Sequence, residues 1–187
     1  MQRNKPELLV PAGDFECLRA GVKNGADAIY IGGKIFGMRT ASSNFSKEEI
    51  IQASSYCHKN NVKLYLTCNT LPRNNELEEI DEFFRLANEA KVDAVIVTDI
   101  GLFYKAKELL NKNIELHVST QAGIVNSLTA KTFENLGADR LILARELSFE
   151  EIKEIKQSLN TNTVIECFVH GAMCMSFSGR CLISNYL

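Results

Sequence analysis

The sequence predicts a parallel (β/α) barrel of the TIM type, and three observations carry that prediction. Short apolar runs recur seven times along the 187 residues, segments of helical periodicity separate them, and a similar phrase precedes several of the runs. Most runs are continuous and rich in β-branched residues, which is how strands covered on both faces are written. Regular strand and helix alternation leaves a closed barrel or an open doubly wound sheet.

The runs are Leu8 to Val10, Ala28 to Ile31, Lys63 to Thr67, Ala94 to Thr98, Glu115 to Ser119, Arg140 to Leu143 and Thr163 to Val169. The turn after the first, Pro11-Ala-Gly-Asp-Phe15, lacks the G-x-G-x-x-G fingerprint of a dinucleotide-binding open sheet, which favours the barrel. Ser46 with Glu49 and Ser148 with Glu151 have capping-box spacing, so a helix is predicted to start after each serine. Between 76 and 90, Leu77, Ile80, Phe84 and Ala87 form one apolar stripe that belongs to the core. The phrases Gly25-Ala-Asp-Ala-Ile-Tyr-Ile, Lys91-Val-Asp-Ala-Val-Ile-Val and Gly137-Ala-Asp-Arg-Leu-Ile-Leu mark one βα unit used repeatedly. A TIM barrel closes at eight strands. With seven counted, residues 1–187 are expected to form a barrel domain incomplete in this chain, the N-terminal part of a longer protein.

Composition narrows the class. Hydrophobic residues at 45% and charged residues at 24% describe an ordinary globular domain, and a net charge of -2 gives the chain as a whole no strongly basic polyanion-binding footprint, so any RNA contact is expected at a local patch or outside this chain. No apolar run approaches the roughly 20 residues that cross a bilayer, and the first residues lack the apolar core of a signal peptide, so no membrane insertion and a cytoplasmic location are expected. The six cysteines are scattered at 17, 57, 68, 167, 174 and 181, unlike a secreted disulfide framework.

Catalysis in a barrel gathers in the loops that follow the strands. Those loops carry Arg39, Arg73, Arg145 and Arg180. Guanidinium forks hold carboxylate or phosphate bidentately, so a small anionic ligand is one reading and solvated loop charge the other. Asp99, Gln121 and Glu146 would orient such a ligand or cap the helices that follow. His117 lies inside a strand and reads as a core histidine. His170, Cys174 and Cys181 stand in a different setting, where an apolar run passes to Gly171, Ser176, Ser178 and Gly179 instead of to an amphipathic helix. Paired thiolates ligate iron-sulfur centres or zinc, although free cysteines also serve as buried apolar filler.

The run Glu166, Phe168, Gly171, Ala172, Met173, Cys174, followed by Gly179, Cys181, Ile183 and Ser184, resembles the signature of the peptidase U32 family, the collagenase-like proteases. Glu7-Leu-Leu-Val-Pro-Ala-Gly-Asp14 and Gly25-Ala-Asp-Ala-Ile-Tyr-Ile-Gly32 are similar to the opening of that family, so the likeness spans the chain. The resemblance implies two activities. As a peptidase, Cys174 would be the nucleophile and His170 its base, an arrangement that leaves Cys181 without a role; G-x-S-x-G and H-E-x-x-H are absent. As a relative of the RNA-modifying and ubiquinone-pathway hydroxylation proteins in the family, the chain would use Cys174 and Cys181 as metal ligands to a [4Fe-4S] cluster. The remaining cysteines of those relatives lie beyond Leu187, so this chain alone is expected to hold no stable cluster. Cys68 and Cys167 could substitute in principle, but Cys167 faces away from Glu166 in a strand. The resemblance further implies prephenate, a dicarboxylate, as a small-molecule ligand, RNA met outside this chain, and a paralogous partner subunit. Since one fold hosts many functions, a non-catalytic binding scaffold is the third reading.

Overall fold

The computed structural model describes residues 5–34, 44–160, 162–171 and 176–178. Seven strands form one parallel sheet in sequence order: β1 (Leu9–Ala12), β2 (Ala28–Gly32), β3 (Lys63–Cys68), β4 (Ala94–Val97), β5 (Glu115–Val118), β6 (Arg140–Ile142) and β7 (Val164–Glu166). The crossovers run through α1 (Phe15–Lys23), α2 (Lys47–Lys59), α3 (Ile80–Ala90), α4 (Ile100–Leu109), α5 (Ser127–Asn135) and α6 (Phe149–Ser158). Among the described residues no pairing joins β7 to β1, and the seven strands form an open, barrel-like sheet.

Strand parity divides the core. Ile29, Ile31, Leu64, Leu66, Val95, Val97, Leu116 and Leu141 point outward and pack with the apolar faces of the helices in one large cluster. The opposite parity points inward, where Ala28, Tyr65, Ala94, Ile96 and Ile142 form a much smaller one. Both capping boxes are present: Glu49 N–H meets Ser46 Oγ at 3.3 Å and Glu151 N–H meets Ser148 Oγ at 3.3 Å, while each glutamate carboxylate accepts from the serine amide at 2.7 Å. One expectation needs correction. Leu77 is 44% exposed, because Asn74–Glu79 winds as a 3-10 segment and the tighter winding turns it off the stripe that Ile80, Phe83, Phe84 and Ala87 bury.

The repeated phrase has a physical purpose. In each, a residue at positive φ ends the preceding helix: Gly25 at 87°, Lys91 at 54° and Gly137 at 93°. One buried apolar residue follows, and then an aspartate that brackets the start of the neighbouring strand. Asp27 Oδ2 accepts Leu8 N–H at 2.8 Å, Asp93 Oδ2 accepts Leu64 N–H at 2.7 Å and Asp139 Oδ2 accepts Leu116 N–H at 2.8 Å. Each aspartate N–H is returned to the carbonyl of the same leucine, at 3.0, 2.9 and 2.9 Å. The motif therefore locks β1 to β2, β3 to β4 and β5 to β6.

Candidate functional site

Two polar assemblies occupy the barrel, one across its interior and one at the mouth. The interior assembly centres on Arg140, which is 6% exposed. Its Nη1 donates to Glu7 Oε1 at 2.7 Å and to Glu166 Oε2 at 3.1 Å, and its guanidinium lies 5.3 Å from the Tyr65 ring centroid. Tyr65 Oη donates to Glu7 Oε1 at 2.7 Å, and Lys63 Nζ is 3.4 Å from Glu7 Oε2. Burial pushes the Glu7 carboxyl up, but its bonds from Arg140 and Tyr65 outweigh this and hold it below the usual range. Glu166 is more deeply buried; desolvation dominates, and its carboxyl is raised despite Arg140. The Glu7 side chain precedes β1 and Glu166 ends β7, so one guanidinium ties together the two margins of the open sheet.

His117 joins this assembly as the core histidine its strand position predicts. It is fully buried, its ring stands edge-on to Tyr65 with centroids 4.8 Å apart, and Nε2 lies 2.8 Å from Glu115 Oε2. Burial lowers its pKa, so the ring is neutral and Nε2 carries the proton toward Glu115. Sequence reading missed Glu7, Arg140 and Glu166 as partners. Their signal was parity, since 140 and 166 alternate with the outward Leu141 and Ile165.

At the mouth, the loops after β5, β6 and β7 are stitched into one platform. Thr120 Oγ1 donates to Leu143 O at 3.1 Å, Ala144 N–H to Ile124 O at 3.1 Å, and Leu143 N–H to Glu166 O at 3.0 Å. Gly123, at φ 69°, supplies the left-handed turn, and its carbonyl-facing side has Ser178 O 3.6 Å from where a Cβ would stand. The segment Ser176 to Ser178 is seated on this platform. Ser178 is buried; its N–H donates to Glu146 Oε1 at 2.9 Å, and its Oγ lies 3.3 Å from the same oxygen. Arg145 donates to Ser178 Oγ from its own N–H and from Nε, both at 3.2 Å, and from Nη2 to Ser176 O at 3.1 Å. Burial pushes the Glu146 carboxyl up, but the Ser178 bonds more than compensate and leave it lowered.

Among the residues singled out in the sequence, the structure thus brings Arg145 and Glu146 together around the stretch between Cys174 and Cys181. Arg73 is exposed and precedes the 3-10 segment, where its N–H donates to Glu76 Oε2 at 2.6 Å. Gln121 is half-buried in the 3-10 turn Thr120–Ala122, its N–H held by Ser119 Oγ at 3.2 Å. Asp99 caps α4, accepting Leu102 N–H at 2.9 Å. His170 is exposed, and none of the described residues pairs with it. Arg39, Cys174, Arg180 and Cys181 lie outside the described residues.

The described cysteines bear on the thiolate set. Cys57 and Cys68 are buried among apolar side chains, and burial pushes both thiols up to about 12, so neither suits a thiolate ligand. Cys167 is exposed just past β7, its thiol also raised by burial of the group and by Glu166. No three His, Cys, Asp or Glu side chains among the described residues are grouped to hold a metal ion. The described cysteines therefore do not assemble a thiolate set among themselves.

This incomplete parallel barrel with an anchored, cysteine-flanked segment at its mouth belongs to a defined family. The model for peptidase family U32 matches residues 13–187, and the chain is a member of that family. It is 46% identical over 97% of its length to an uncharacterized protease of Methanocaldococcus jannaschii, covering 44% of that protein. It is 38% identical over 98% of its length to tRNA hydroxylation protein P1 of Bacillus subtilis, covering 43% of it. It is 40% identical over 96% of its length to the 23S rRNA 5-hydroxycytidine C2501 synthase of Escherichia coli, covering 26% of it. The chain spans less than half the length of each of these curated relatives. In fold it is similar to the U32 peptidase Mk0906, with a TM-score of 0.72 at 16% identity over 88% of this chain and 70% of that one. No helix among the described residues is long and apolar enough to cross a membrane.

Proposed function

We propose that this chain is the barrel part of a cytoplasmic RNA hydroxylation protein, in which Cys174 and Cys181 supply two thiolates of a [4Fe-4S] cluster completed by ligands outside the chain. The observation that carries this reading is the likeness to proteins named for tRNA hydroxylation and for rRNA hydroxycytidine synthesis, sustained across nearly all of the chain. Such a cluster, when bound, supplies redox chemistry that amino-acid side chains lack. The chain's own residues would supply the setting. Arg145 and Glu146 hold the segment between the two cysteines, and Arg39, Arg73 and Arg180 are left to neutralise a small anion such as the dicarboxylate prephenate. A net charge of -2 fits RNA being gripped by parts outside this chain, in the same polypeptide or in a paralogous partner subunit.

The likeness to a protein named as a protease favours a second reading, with Cys174 as nucleophile and His170 as base. Against it, that pairing gives no role to Cys181 at its spacing from Cys174.

The deciding experiment measures iron, acid-labile sulfide and visible absorption of the complete gene product purified without oxygen, beside Cys174→Ser and Cys181→Ser, together with hydroxylated nucleosides in RNA from cells carrying each form. Loss of iron, sulfide and the modified nucleoside in both variants is expected. Metal-free protein in every form, with peptide hydrolysis that fails only in Cys174→Ser, would replace the hydroxylation reading by the peptidase.

A further inference from the structure

Two polar atoms inside the barrel stand without a hydrogen-bond partner among the described residues, Arg140 Nε and His117 Nδ1. Both belong to side chains more than nine-tenths buried, at 6% and 0% exposure. They are also neighbours. Arg140 and His117 are paired in the parallel register of β5 and β6, so both side chains leave the same inner face of the sheet. Both lean on the Tyr65 ring, the imidazole with centroids 4.8 Å apart and the guanidinium at 5.3 Å from the centroid. A buried polar group left unpaired costs more than an average hydrogen bond contributes, so two of them side by side call for a shared partner.

The two atoms dictate what that partner must be. Arg140 Nε carries a hydrogen and can only donate. His117 Nε2 lies 2.8 Å from Glu115 Oε2, and an ionised carboxylate only accepts, so the ring proton sits on Nε2 and Nδ1 presents a lone pair. Burial keeps the ring neutral, and the Arg140 charge beside it acts in the same direction. An anion would confront the Nδ1 lone pair, and a cation would confront the Arg140 N–H. A hydroxyl oxygen, which accepts once and donates once, satisfies both. Its size is bounded as well, because the inner cluster of Tyr65, Ile96 and Ile142 fills most of the interior and only Ala28 and Ala94 leave room there. Water is the hydroxyl that fits, and internal waters sit where buried polar groups converge.

We infer that the barrel holds one internal water as a fixed part of its structure, accepting from Arg140 Nε and donating to His117 Nδ1. The water completes a polar chain that runs from Glu115 on β5 through His117 and Arg140 to Glu166 on β7 and Glu7 before β1. It also gives His117 a purpose beyond filling the core, since the imidazole passes the Glu115 contact on to the guanidinium. This site stands independently of the cluster reading.

The test is a crystal structure of the complete gene product at a resolution that shows ordered water, a second crystal soaked in bromide, and the imidazole nitrogen NMR shifts of His117. One density peak about 2.7–3.2 Å from both atoms is expected, with no bromide signal on it and an unprotonated Nδ1. Bromide at that peak would replace the water by an anion and overturn the inference. So would a protonated Nδ1, separate peaks on the two atoms, or no peak within about 3.5 Å of either. In His117→Phe, which keeps a ring against Tyr65 but offers no acceptor, the peak should vanish and the number of long-lived internal waters, read from water relaxation dispersion, should fall by about one. A peak that persists on Arg140 Nε in that variant would show that His117 does not share it, and would overturn the bridge. If His117→Phe does not fold, the parent crystals and the nitrogen shifts decide alone.

Discussion

Arg140 shows how one side chain can decide the inside of a barrel. It satisfies two carboxylates and covers a tyrosine ring, while its Nε and His117 Nδ1 have no described hydrogen-bond partner. Removing one member of a buried ionic group leaves the others charged and unpaired, which costs about 3–5 kcal/mol, whereas replacing the whole group with apolar residues is often neutral. Arg140→Ala is therefore expected to lower the urea midpoint sharply. Glu7→Gln and Glu166→Gln added to Arg140→Met should recover most of the loss. His117 carries a separate pH dependence. Its folded pKa is below the usual value, so the unfolded chain takes up a proton near pH 6.5 and the folded chain does so only at lower pH. The stability of the neutral buried ring is thus complete above pH 6.5 and is lost as pH falls through the folded value. Glu166, with its raised carboxyl, works in the opposite sense. Comparing melting temperatures of the parent and His117→Gln between pH 7 and 5 isolates the histidine, and the parent should lose more stability on acidification than the variant.

At the scale of elements, the aspartate brackets outrank the helix caps. A hydrogen bond to a carboxylate whose loss strands a strand-start amide is worth about 2 kcal/mol, against about 1 kcal/mol for a serine cap. Asp139→Ala should accordingly cost about twice as much as Ser148→Ala in chemical denaturation. Asp27→Ala and Asp139→Ala, which act on different strand pairs, should add. Equal costs for Asp139→Ala and Ser148→Ala would mean that the sheet edges hold without the bracket. Gly25 and Gly137 belong to the same device, because each turns the chain at positive φ into the aspartate. Gly25 is the cleaner test: nothing lies within 4 Å of an added Cβ there, so Gly25→Ala reports backbone strain alone, about 1 kcal/mol.

For the molecule as a whole, stability should be graded across the sheet. β3 and β4 sit in the middle, their inner and outer faces both buried, while β7 is a three-residue margin with Val164 45% exposed. Local opening follows burial and pairing, so amide exchange should be slowest at Leu64 to Leu66 and Val95 to Val97 and fastest among the strands in β7. Uniform protection would show that β7 is held from its unpaired side. The Arg140 bridge bears on this too, since it joins Glu7 before β1 to Glu166 in β7 across the interior. Arg140→Ala should therefore speed exchange in β7 more than in β4.

What could be read from the chain alone was local and periodic. Seven apolar runs, two capping boxes and the aspartate phrase state the barrel because each depends on near neighbours and on strand or helix period, and the structure reproduces all of them. Asp99 as a helix cap and His117 as a core histidine were legible for the same reason. The family was legible because its signature is a contiguous stretch. Contacts across the barrel were not. The meeting of Glu7 with Arg140 is separated by 133 residues, and that of Arg145 with Ser178 by 33. No period in the sequence encodes such distances. Curling the sheet around an interior is what forces charged side chains of the right parity to find one another, and folding the last loops onto one platform is what turns Arg145 and Glu146 from two polar residues into the holders of Ser176 to Ser178.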